Sequence, residues 1–145
     1  MRETEPDPTA SQSDLDCTAR LDEGALARLR ELDPSGQAML LPRIFNTYLG
    51  SLDKLMLEMH RAWQDGPDLA GIRHVAHTLK SSSASVGAAV LSNCCAEIEH
   101  CARLGLSSSW DRPDLEHRLN GMYQEAARTR AALESLLTEY QSVSQ

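Results

Sequence analysis

The sequence predicts an all-α fold: an up-down-up-down antiparallel four-helix bundle with a short additional N-terminal helix. Three observations carry this. Apolar residues make up 41% of the chain, enough for one core, yet aromatics make up only 4%. The core must then be built from Leu, Ala, Met, Val and Ile, a mixture that favours helices over sheets. Apolar residues also recur at three- and four-residue steps over long segments. Finally, clusters of Gly, Pro, Asp and Ser separate those segments by short connections, and short connections make antiparallel neighbours.

Residues 1 to about 18 are rich in Pro, Asp, Glu, Ser and Thr and hold almost no large apolar side chain, so they read as a flexible tail. The domain proper is expected over 19–142, with 143–145 as a C-terminal tail. Leu21, Ala25, Leu29 and Leu32 repeat at helical spacing and form the short first helix, which Asp33-Pro34-Ser35-Gly36 ends. A second helix carries Leu41, Ile44, Phe45, Tyr48, Leu52, Leu55, Met56, Met59 and Trp63 on one face. Its start is open. If it begins near Gly36, Pro42 lies beyond the first turn and kinks it; if it begins near Leu41, Pro42 sits comfortably at the start. Asp65-Gly66-Pro67-Asp68 breaks the pattern and caps a third helix over roughly 68–86. Gly87 suits the left-handed residue that ends it. A fourth helix comes directly after, with Leu91, Cys94, Cys95, Ile98 and Ala102 inward. A polar stretch from Gly105 to Asp111 leads to a fifth, near 113–141, with Leu115, Leu119, Met122, Ala126, Leu133, Leu137 and Tyr140 inward.

A net charge of -7 argues against nucleic acid, which needs a basic stripe, and against an anionic membrane surface. No apolar run approaches the ~20 residues of a membrane span. The polar, acidic start is no secretory signal. Cys17, Cys94, Cys95 and Cys101 form no C-x-x-C pair. They read as reduced thiols of a cytoplasmic protein, two or three of them buried as small apolar residues. A zinc site from Cys94, Cys101 and His100 has the wrong ligand spacing, so no metal is expected.

The third helix carries the chemistry. On a wheel of about 100° per residue with His77 at zero, Val75, Leu79 and Val86 fall near 160°, 200° and 180°. Ile72 and Ser83 fall near 220° and 240° by the same count. The apolar stripe is thus centred opposite His77, which must point to solvent. Arg73, His74, Lys80, Ser81 and Ala84 lie within about 60° of it. That helix face is cationic and otherwise small, in a chain that is acidic overall. It suits docking against an acidic pocket, and Ser81 and Ala84 leave the surface low enough for close approach.

The segment His77-Thr78-Leu79-Lys80-Ser81-Ser82-Ser83-Ala84-Ser85-Val86-Gly87 resembles the signature of the histidine-containing phosphotransfer (HPt) family, H-x-L-K-G-S/A-S/A-x-x-(apolar)-G. The resemblance spans the five helices, including Leu-Arg-Glu-Leu of the first and Cys-Ala-Glu-Ile-Glu of the fourth. It departs at Ser81, where the family usually has Gly. Serine is still small and costs a helix less. The resemblance implies that His77 is the phosphoryl acceptor and donor. It implies that Lys80 neutralises phosphoryl charge or meets the partner's acidic site. It also places Glu99 where the family often has a Gln or Glu that orients the imidazole. A carboxylate accepting the Nδ1 hydrogen would leave the attacking lone pair on Nε2. Arg73, His74, Ser81 and Ala84 become the partner-binding surface.

The function implied by the resemblance is that of a phosphorelay carrier, which takes a phosphoryl group from a receiver-domain aspartate and passes it to another. Its partners would be receiver domains of response regulators or hybrid sensor kinases. It needs no cofactor of its own, since the partner receiver supplies Mg²⁺, and a cytoplasmic monomer is expected. There is no Walker-type G-x-x-x-x-G-K and no Gly-rich loop, so no kinase activity on itself is expected. The serine run lacks the G-x-S-x-G setting of a hydrolase. The competing reading is a non-catalytic helical adaptor that binds receivers without carrying phosphate. Met1 and the polar start favour a free-standing protein over a domain of a hybrid kinase.

Overall fold

The computed structural model describes residues 21–143, so the expected tail over 1–18 and Cys17 lie outside the described residues. Five helices fill the described chain: α1 (Glu23–Glu31), α2 (Leu40–Gln64), α3 (Leu69–Ser85), α4 (Ala89–Ser107) and α5 (Arg112–Val143). Each of the four long helices packs on its chain neighbour, and α2 packs on α5 to close the ring, giving the up-down-up-down bundle. α3 and α5 end within two residues of expectation, α5 running on to Val143, whereas α4 continues to Ser107, into the stretch from Gly105 that was read as the connection. The core is aliphatic, with Phe45 its one fully buried phenyl ring among Leu52, Met59, Ile72, Leu79, Leu91, Ile98, Met122 and Leu133.

Pro42 is settled by the start of α2. The helix opens at Leu40, which places Pro42 within the first turn, where its missing N–H would have no helical partner anyway. The preceding Met39 is left-handed, at φ 53°, and supplies no side-chain cap. Asp33 substitutes from a distance: its carboxylate accepts from the Leu40 amide at 3.1 Å and the Ala38 amide at 3.5 Å. The Asp-Pro-Ser-Gly segment that ends α1 thus also starts α2.

At the other end of the site helix, Gly87 has φ 84°. The Ala88 amide donates to the Ser83 carbonyl at 2.8 Å and the Gly87 amide to the Ala84 carbonyl at 3.1 Å. This paired closure satisfies the last free carbonyls of α3 and turns the chain directly into α4. Gly87 does a second job. Its carbonyl accepts from the Asp22 amide at 2.6 Å, and a Cβ there would lie 3.2 Å from the Asp22 carbonyl oxygen. The start of α1 is therefore tied across the α3–α4 turn.

The apolar repeat of α1 does not mark its core face throughout. Leu32, the last residue of the repeat, is the C-cap and is 64% exposed. Leu26 takes the inward place instead, beside Leu21 and Ala25, because α1 ends at Glu31 and the chain turns away before Leu32 can return to the bundle. Cys94, Leu137 and Tyr140, read as inward, pack only partly against the core, as does Leu29 of the α1 repeat.

Candidate phosphotransfer site

α3 buries Ile72, Val75, Ala76, Leu79, Ser83 and, just past its end, Val86, which is the stripe the wheel assigned. Its start is held by Asp68, whose carboxylate accepts from the Gly71 amide at 3.0 Å. With that stripe inward, His77 projects outward, its side chain 61% exposed. Arg73, His74, Ser81 and Ala84 share its exposed face. Ala70, Arg73, His74, His77 and Glu99 line a shallow hollow of about 330 Å³. Ala70 was not singled out from the sequence, although it lies two turns before His77, near 20° on the same wheel.

Glu99 comes from α4 and is buried, not an ordinary surface carboxylate. One oxygen meets His77 Nδ1 at 2.8 Å and the other accepts from Lys80 Nζ at 2.6 Å. Lys80 holds the Glu99 carboxyl below the usual carboxylate range. Burial pulls the other way, and the bond from His77 adds to the lowering. Glu99 is accordingly an anion at neutral pH, and an ionised carboxylate can only accept. Nδ1 must carry the hydrogen it donates, which leaves the lone pair of a neutral ring on Nε2. Lys80 is half-buried and turned onto Glu99, where the sequence reading placed it freely on the solvent side.

The register between α3 and α4 makes this contact possible. Ser92 Oγ donates to the Lys80 carbonyl at 2.9 Å, pinning α4 to α3 beside the site. Across the helix, the Tyr48 hydroxyl and Ser83 Oγ share a buried hydrogen bond of 2.7 Å that joins α2 to α3. Neither pair was found from sequence. Ser92 carries no signal beyond being small, and Tyr48 read only as an apolar face residue. Among the described residues no group of three His, Cys, Asp or Glu side chains could hold a metal ion, Cys94, Cys101 and His100 included.

An exposed imidazole oriented by a buried carboxylate on an all-helical frame is the setting for comparison with known proteins. The family model for the Hpt domain matches residues 43–142. The chain belongs to the Hpt domain family. A solved structure points the same way: the crystal structure of histidine-containing phosphotransfer protein B (HptB) from Pseudomonas aeruginosa PAO1 superposes with a TM-score of 0.68 at 29% identity. The match covers 83% of this chain and 96% of that one. Among curated protein sequences nothing matches. The role of this Hpt domain is histidine phosphotransfer in a phosphorelay, and Hpt domains are carriers that work with receiver domains. No helix among the described residues is long and apolar enough to cross a membrane.

Proposed function

We propose that His77 is the phosphoryl-carrying residue of this Hpt domain, and that it takes the group on Nε2 from an aspartyl phosphate of a receiver and hands it to another receiver's aspartate. The observation that supports this is the single hydrogen bond from Nδ1 to Glu99 on a ring that is otherwise open to solvent. The Nε2 lone pair forms the new N–P bond, the P–O bond to the donor aspartate breaks, and the aspartate leaves as a carboxylate. No proton has to move. The Nδ1 hydrogen stays in place and the ring becomes a phosphoimidazolium cation, whose charge faces the Glu99 anion at 2.8 Å. Lys80 keeps Glu99 ionised and directed at the ring, and adds positive charge near the transferring group.

Phosphoryl transfer demands positioning and charge neutralisation more than covalent work from the protein. The Mg²⁺ belongs to the receiver in this reading, and the carrier has neither an ATP site nor autokinase activity. It works in the cytoplasm as a monomer, with Arg73, His74, Ser81 and Ala84 under the docked receiver.

Incubation with a phosphorylated receiver tests the reading. Acid-labile, base-stable label is expected on the wild type and is expected to vanish in His77→Gln, whose circular dichroism stays unchanged. Binding of the receiver with no label on the wild type would leave the non-catalytic adaptor as the better account.

A further inference from the structure

We propose that the hollow beside His77 is the seat of the phosphoryl group once it is carried, and that Arg73 is its guanidinium ligand. The inference rests on His77 being the carrier and assigns a residue to the carried state. Lys80, the cation nearest by sequence, has its ammonium engaged by the Glu99 carboxylate at 2.6 Å. Arg73 is exposed and makes no hydrogen bond or ion pair among the described residues. It lies one turn before His77 at i−4 spacing, which makes the two side chains surface neighbours. Both line the same hollow, with Ala70 and His74 completing the wall.

The hollow also contains Glu99, but both of its oxygens are committed, one to His77 and one to Lys80. The groups left to receive a tetrahedral dianion are Ala70, which is small, the His74 imidazole, and the Arg73 guanidinium, which unlike an imidazole is charged at every working pH. Its planar fork can donate two parallel hydrogen bonds to phosphoryl oxygens, which an ammonium cannot match. Two cations thus divide the work: Lys80 serves the carboxylate behind the ring, and Arg73 serves the phosphoryl group in front of it.

A small donor separates this role from receiver docking. With phosphoramidate, Nε2 forms the N–P bond, the donor's P–N bond breaks, and ammonia leaves with the hydrogens of the donor nitrogen. Arg73→Gln is expected to slow labelling by phosphoramidate and to shorten the phosphohistidine half-life without receiver, each by roughly three- to tenfold, the scale of one charge-assisted contact. Arg73→Lys is expected to recover the labelling rate more than the half-life, because it restores charge but not the fork. Rates and half-lives of Arg73→Gln equal to wild type, with label on His77, would overturn this inference alone. Label that persists in His77→Gln would overturn the carrier reading as well.

Discussion

At the scale of single residues, the proposed chemistry hangs on Glu99 turning one oxygen to His77 and the other to Lys80. The carboxyl is held below its ordinary value of 4.5 by Lys80 first and His77 second. A group whose pKa is lowered on folding adds stability that is present above its unfolded value. That stability is lost as pH falls from there through the lower folded value. Wild type is therefore expected to lose melting temperature more steeply than Glu99→Gln as pH drops below about 4.5, and thermal melts taken along a pH series check this. The same substitution removes the anion that faces the His77 ring, where the proposed transfer would place a phosphoimidazolium. Transfer from a phosphorylated receiver is expected to slow about tenfold or more, the cost of one charge-assisted contact. Imidazole nitrogen shifts supply an independent readout: His77 is expected to hold its hydrogen on Nδ1 in wild type and to become a mixture of tautomers in the variant. Equal tautomer populations in both would remove the positioning role of Glu99.

Helix α3 is where sequence pattern and packing meet. Leu79 is completely buried at the centre of the stripe opposite His77. Leu79→Ala is expected to cost roughly 2–5 kcal/mol, measured by denaturant unfolding, because the surroundings cannot close over the lost volume. The Tyr48–Ser83 bond sets a subtler expectation. Burial pushes the Tyr48 hydroxyl up to about 12, so it stays a neutral donor or acceptor at any working pH. Ser83→Ala strands that hydroxyl inside the α2–α3 seam at a cost of about 1–3 kcal/mol. Adding Tyr48→Phe removes the stranded group, so the double variant is expected to be more stable than Ser83→Ala alone. A double variant whose loss equals the sum of the two single losses would mean that the two side chains do not interact.

For the molecule as a whole, one turn couples the bundle to the start of α1. Gly87 adopts a left-handed φ, and its missing Cβ leaves room for the backbone of Asp22. Gly87→Ala is expected to strain the turn and push α1 from its seat, costing about 1 kcal/mol or more. Hydrogen exchange is expected to speed up first in α1 and at the α3–α4 turn, and last in the aliphatic centre. Docking is a property of the assembled surface too. Ser81 is exposed beside His77, so Ser81→Leu is expected to impede a receiver yet leave labelling by phosphoramidate near wild type. Equal loss with both donors would count against a steric effect on docking.

Periodicity alone is enough to place the helices and to decide which face of α3 looks outward. A helix repeats every 3.6 residues whatever surrounds it, so Ile72, Val75, Leu79 and Val86 name the buried side and His77 the open one. Local chemistry likewise marks Asp68 as a cap and Gly87 as a left-handed terminator, since both act within a few residues of themselves. Leu32 misleads because its spacing continues a pattern past the point where α1 ends. Whether Pro42 kinks or starts α2 depends on Asp33, seven residues before Leu40, closing over the amide of that helix. The state of Lys80 is hidden as well. Its partner lies on another helix, and the reach from Glu99 exists only once α3 and α4 are packed in the register pinned by Ser92. Sequence determined the helices and the exposed histidine because those derive from backbone geometry. Only the tertiary structure decided which cation holds the carboxylate and which is left without a charged partner, because charges pair by distance in space and not by separation along the chain.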